Sequence, residues 1–89
     1  MKFMVKETFV IENEAGLHAR PATEIAKIAM KYKSNINIVV NEKTINAKSP
    51  LMIMSAGIKS KTKLDIVCDG EDEKEAIKEL MAFFHSNIE

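Results

Sequence analysis

Hydrophobic and polar positions change period several times along the chain, and each change marks an element. From Lys6 to Ile11 they alternate, with Phe9 and Ile11 on one face, which is the period of a half-buried strand. Phe3 and Val5 share that parity, but Glu7 interrupts it, so the pattern does not fix where the strand starts. Glu12 to Leu17 is polar, contains Gly16 and reads as a loop. From Ala19 the period lengthens: Ala22, Ile25, Ala26 and Ala29 follow the i, i+3, i+4, i+7 spacing of an amphipathic helix that ends near Tyr32. Asn35 to Val40 alternates again, with Ile36, Ile38 and Val40 facing together. Asn41-Glu42-Lys43 then reads as a hairpin turn, without a glycine to mark its type, and Thr44 to Ala47 as the returning strand.

Ser49-Pro50 opens a short helix that stops at Gly57. A serine oxygen accepts a free backbone N–H at a helix start, and proline suits the first helical position because its missing N–H costs nothing there. Lys63 to Cys68 is a fourth strand, with Leu64, Ile66 and Cys68 on one side, and Gly70 breaks it. Glu71, Asp72 and Glu73 then fall in the expected first turn of a final helix, where acidic groups meet the positive end of the dipole. Ala76, Ile77, Leu80, Met81 and Phe84 form the stripe it buries. The order is β-α-β-β-α-β-α. Four short strands with two longer helices point to an α+β fold, one sheet covered on one face.

Composition narrows the class. The 89 residues are enough for one core, so residues 1–89 are expected to form a single domain. Lys plus Arg and Asp plus Glu are both 13, giving a formal net charge of zero with no basic cluster, which argues against a nucleic-acid or lipid-surface partner. Cys68 is alone, so an internal disulfide and a cysteine-based zinc cluster are excluded. The Met1–Ile11 segment mixes charged with apolar residues and resembles neither a signal peptide nor a membrane span. These features suit the cytoplasm. No spacing suggests a metal site, a nucleotide-binding glycine loop or another cofactor site.

The densest chemistry lies in Gly16-Leu17-His18-Ala19-Arg20-Pro21-Ala22-Thr23. Here a histidine sits at a helix start, just after a glycine-containing loop. The unpaired N–H groups and partial positive charge of such a start make a site for an anion. An imidazole nitrogen is a nucleophile, and much of the ring is neutral at neutral pH. Arg20, two positions on, carries a planar fork that pairs with phosphoryl oxygens. The residues alone leave two other readings open. His18 could merely cap a helix beside a solvated Arg20, or it could pair with Cys68 as a nucleophile, although Cys68 lies in an apolar strand pattern.

The run Gly-Leu-His-Ala-Arg-Pro-Ala-Thr closely resembles the active-site signature of the HPr family, the histidine-containing phosphocarriers of the bacterial sugar phosphotransferase system. Length, element order and a second signature, Asn46-Ala47-Lys48-Ser49 through Met54-Ser55-Ala56-Gly57, extend the resemblance over nearly the whole chain. It implies an open-faced β-sandwich, an antiparallel four-stranded sheet in the order 1-4-2-3 with three helices on one side. It also implies that His18 accepts a phosphoryl group on Nδ1 from enzyme I, steadied by Arg20. His18 would then donate to the enzyme IIA components of sugar transporters. The resemblance implies a monomeric carrier rather than a complete enzyme.

Lys48-Ser49 resembles the place where many family members are phosphorylated on serine by a dedicated kinase and phosphatase, which creates a partner for a transcriptional regulator. The chain departs from the pattern there: Pro50 stands where an aliphatic residue is usual and Met52 where a glycine is usual. A proline beside the acceptor argues against kinase recognition, and a plain N-cap is the alternative role of Ser49. Leu51, Met52, Ile53 and Met54 are consecutive apolar residues on a helix that can bury only one face. By the resemblance this helix and the His18 region form a common docking face, with Leu51, Met54 and Thr23 as the expected contacts; burial of all four apolar residues in the core, or in crystal or oligomer contacts, is the competing expectation. The altered Ser49 helix also motivates a second reading, a regulatory or nitrogen-related paralogue; a third, a small α/β interaction or ligand-sensing module without phosphoryl chemistry, is opposed by the His18 motif. His85, near the end of the last helix, is expected to meet the dipole or solvent.

Overall fold

The structure, a computed structural model, describes residues 4–87. Its elements are β1 (Val5–Val10), α1 (Ala19–Met30), β2 (Asn35–Val40), β3 (Lys43–Asn46), α2 (Pro50–Ser55), β4 (Lys63–Asp69) and α3 (Glu73–Asn87). The strands form one antiparallel sheet in the order β1-β4-β2-β3. This is the expected α+β open-faced sandwich. Alternation decides which side of the sheet is covered. Ile36, Ile38 and Val40 of β2, Leu64, Ile66 and Cys68 of β4, and Ile45 of β3 are buried against the helices, which contribute Ala22, Ile25 and Ala29, Ile53, and Ala76, Leu80 and Phe84.

The ambiguous start of β1 resolves at Val5; Phe3 lies outside the described residues. Glu7 pairs with Ile66 and so has core-facing parity, yet it is exposed, because β1 is an edge strand. Glu7 shares a shallow hollow with Ile77, Lys78, Met81 and His85 at that edge. The β2–β3 hairpin closes through Asn41 and Glu42, with φ of 51° and 66°. Two positive φ values in a two-residue loop are the signature of a type I′ turn, here made without glycine.

The start of α3 differs from expectation. Glu71 and Asp72 precede the helix, and the acidic residues of its first turn are Glu73 and Glu75. Glu73 N–H bonds the Gly70 carbonyl, and the buried Glu73 carboxylate accepts the Gly70 N–H at 3.0 Å, so a separate turn is closed before the helix begins. Asp72 serves a distant segment instead. Its carboxylate accepts Lys33 N–H (2.8 Å), Ser34 N–H (2.9 Å) and Ser34 Oγ–H (2.5 Å). Two further ties hold the same end of α1: Lys31 and Tyr32 donate to Glu79 of α3, and Lys48 Nζ donates to the Tyr32 carbonyl at 2.9 Å. The hydrogen bond to Glu79, with burial adding to it, pushes the Tyr32 hydroxyl up to about 12.

Hydrogen bonds from the Ser34 hydroxyl and the Lys33 and Ser34 amides hold the Asp72 carboxyl below its ordinary range. A depressed carboxyl stabilises the fold above its unfolded-state value, and that contribution is lost as pH falls through the native value. The Asp72→Asn variant is therefore expected to be less stable at neutral pH. Its urea midpoint should also drop less than that of the parent between pH 7 and about pH 3. Equal drops in the two proteins would remove Asp72 as a source of acid sensitivity.

Candidate functional site

The loop between β1 and α1 is held by backbone bonds to the segment after α2. Ile11 N–H donates to the Thr62 carbonyl (2.9 Å), Lys61 N–H to the Ile11 carbonyl (2.6 Å), and Leu17 N–H to the Ile58 carbonyl (3.0 Å). Gly16 has φ of 68°, and a Cβ there would stand 2.9 Å from Lys59 Cα and closer still to the Ile58 oxygen. Glycine is thus required at position 16 for both backbone conformation and close approach. Within the loop, Gly16 N–H bonds the Asn13 carbonyl (3.3 Å) and Asn13 Nδ2 donates to the Gly16 carbonyl (3.0 Å). The pattern along the sequence identified the loop and Gly16 but not these partners. An Asn three residues before a Gly was the local turn signal available.

His18 follows as the N-cap of α1, with φ of −89° and ψ of −165°. Its carbonyl accepts Ala22 N–H at 3.1 Å, while its side chain makes no capping hydrogen bond, and the residue is exposed. Helix geometry leaves the N–H groups of Ala19 and Arg20 without intrahelical partners. Pro21, buried in the first turn, has no N–H to offer. Arg20 is exposed and forms no ion pair among the described residues. One turn on, Thr23 is exposed, and its hydroxyl donates to the Ala19 carbonyl at 2.8 Å. An exposed imidazole, an unpaired guanidinium and two helix-start amides therefore occupy one helical turn. That set can present a nucleophile and then hold the anion it acquires.

α2 supplies the apolar neighbour. Leu51 is 71% exposed, Met52 45% and Met54 37%, whereas Ile53 is fully buried. Burial of all four in the chain's own core is thus excluded. Leu51 and Met54 are exposed as expected, and Met52 joins them, since a helix of under two turns packed on α1 turns one apolar residue inward. The end of α2 leads into Ile58, whose carbonyl holds Leu17, so this apolar surface and the His18 loop are mechanically connected.

Ser49 caps α2, its Oγ accepting Met52 N–H at 3.2 Å, with Pro50 at the first helical position. It lies beside the C-terminal end of α1, where Lys48 bonds Tyr32, and so about 18 Å of helix away from His18 at 1.5 Å per residue. The Ser49→Ala variant is expected to lose about 1 kcal/mol of stability through the vacated cap. In a domain of this size that is a fall of roughly 4–8 °C in Tm, measurable by thermal denaturation. An unchanged Tm would show that the cap contributes nothing.

Cys68 is fully buried, and burial, aided by the nearby Glu73 and Asp72, pushes its thiol up to about 11. It pairs with Val5 and Ile36, at the opposite end of the sheet from the loop that carries His18, so the Cys68–His18 pairing is excluded. His85 is exposed in the last turn of α3, as expected, and also packs edge-on against Phe9, with ring centroids 5.2 Å apart. No helix among the described residues is long and apolar enough to cross a membrane.

Comparison with known proteins bears on this geometry. The family model described as "PTS HPr component phosphorylation site" matches residues 5–86. The phosphocarrier protein HPr of Mycoplasma capricolum subsp. capricolum is 45% identical over 75 residues, 84% of each chain. A solved structure of the histidine-containing phosphocarrier protein of Mycoplasma superposes with a TM-score of 0.90 at 39% identity, covering 94% of this chain and 97% of that one. An HPr dimer from Thermoanaerobacter tengcongensis superposes with a TM-score of 0.76 at 38% identity, covering 91% and 93%.

Proposed function

The chain belongs to the HPr family of phosphocarriers, and on that premise we propose that His18 is the residue that carries the phosphoryl group. His18 Nδ1 attacks the phosphorus held on phospho-enzyme I; the new N–P bond forms as the donor's bond breaks, and the donor leaves without its phosphoryl group. The same exchange in reverse roles passes the group to an enzyme IIA component. Arg20 and the Ala19 and Arg20 amides hold the phosphoryl oxygens between the two transfers. The observation that carries this reading is the unbonded ring of an N-cap histidine, beside an unpaired arginine, at an open helix start.

Leu51, Met54 and Thr23 form the docking face for both partners, with Met52 added to it by its exposure. Flexible thioethers suit a surface that must fit more than one partner. The protein acts in the cytoplasm in phosphoenolpyruvate-dependent sugar uptake. It is a carrier that its partners regenerate, with no cofactor of its own. A monomer suffices for this cycle, while the Thermoanaerobacter tengcongensis relative has been solved as a dimer. We assign Ser49 the capping role rather than that of an acceptor for a kinase, since Pro50 removes one of the helix-start amides that would receive a phosphate there. Incubation with enzyme I and labelled phosphoenolpyruvate tests the central reading, because acid-labile label on this protein is required by it.

A further inference from the structure

We infer that Asn13 is a positioning residue for His18. The ring of His18 makes no capping hydrogen bond, so its placement depends on how the backbone enters position 18. That entry is set by the Gly16–Leu17 peptide, a rigid plane. One side of the plane is the Gly16 carbonyl, which accepts Asn13 Nδ2–H at 3.0 Å; the other is the Leu17 N–H, which donates to the Ile58 carbonyl at 3.0 Å. The plane is thus gripped from both sides, by a side chain of its own loop and by the backbone of the segment that follows α2. The backbone bond that closes the 13–16 turn is longer, at 3.3 Å, so the Asn13 amide is the shorter of the turn's two closures. Leu17, 4% exposed, anchors the plane to the core. With the Asn13 donor removed, the plane can rotate about its remaining bond, and the direction in which His18 leaves it is no longer single.

This inference depends on the carrier reading of His18, and the experiment separates the two. Transfer from phospho-enzyme I is measured for the parent, for Asn13→Ala, and for Asn13→Asp, which keeps the side chain's size but presents an acceptor to the Gly16 carbonyl. The maximal transfer rate is expected to fall roughly three- to tenfold in both variants, the population loss that follows removal of one neutral hydrogen bond selecting a conformer. The donor concentration giving half-maximal rate should stay unchanged, because the α2 face is untouched. The backbone amide signals of Leu17, His18 and Ala19 should shift, and exchange of the Leu17 amide should quicken. An unchanged maximal rate with unmoved amide signals overturns the inference, as does a defect confined to the half-maximal concentration. If Asn13→Ala unfolds, Asn13→Asp supplies the comparison. If the parent itself takes no label, the carrier reading falls, and the amide signals alone decide whether Asn13 holds the plane.

Discussion

Replacing His18 with alanine is expected to abolish acid-labile labelling by enzyme I and phosphoenolpyruvate while leaving the fold intact. Two structural facts separate these outcomes. The imidazole makes no hydrogen bond to the helix it caps, so alanine removes no capping interaction. The bond that matters to α1 is made by the His18 carbonyl to Ala22 N–H, and alanine keeps it. The stability change should therefore stay within about 0.5 kcal/mol, as for exposed positions without special contacts. The chemical loss should be complete, because the other histidine, His85, lies in the last turn of α3, without helix-start amides to hold an anion, and the only cysteine is buried. Label persisting on the His18→Ala variant would move the acceptor elsewhere and sink the assignment. A matching melting curve is the control that makes the loss chemical.

The second large effect is structural. Gly16→Ala should destabilise by about 2–4 kcal/mol, combining the left-handed backbone penalty with forced displacement of the packed Ile58–Lys59 backbone. In a domain of this size that is a fall of roughly 10 °C or more in Tm. Gly57 provides the contrast. Its φ of 64° is nearly the same, but a Cβ there would meet nothing within 4 Å. Gly57→Ala should therefore cost only the backbone term, about 1–2 kcal/mol. Thermal denaturation of the two variants side by side checks both numbers. Equal losses would mean that the close approach to Ile58 and Lys59 contributes nothing.

Much of the fold was legible because its elements are locally consistent. The alternation of Ile36, Ile38 and Val40, the helical spacing of Ala22, Ile25, Ala26 and Ala29, and the Ser49-Pro50 start each belong to a single element, and each is found where its period placed it. The order of strands in the sheet is different in kind. Nothing in the period of β4 states that it lies between β1 and β2, and that arrangement came from resemblance to a family. Long-range partners were hidden for the same reason. Asp72 looked like the dipole partner of its own helix, but its bonds run to Lys33 and Ser34, which no local pattern links to it. The non-glycine hairpin at Asn41 and Glu42 has its own cause: the twist of the strands demanded positive φ, and the turn adopts it without the residue that would have announced it. At the site, His18 and Arg20 were legible as types in a spacing. The grip on Gly16 and Leu17 was not, since its other half lies some forty residues along the chain.

The two ends of α1 are fastened by different chemistry. Its C-terminal end is tied through ionisable side chains, Asp72 to Lys33 and Ser34, and Glu79 to Lys31 and Tyr32. The loop before its N-terminal end is fastened to the segment after α2 chiefly by uncharged amide-to-carbonyl bonds. Acid is therefore expected to loosen the molecule first at the end of α1 away from His18. On the His18 side the ionisable tie among the described residues is the largely exposed Lys61–Glu12 pair at 3.8 Å, so a transfer-rate profile recorded across mildly acid to neutral conditions is expected to carry little contribution from loosened side-chain anchors.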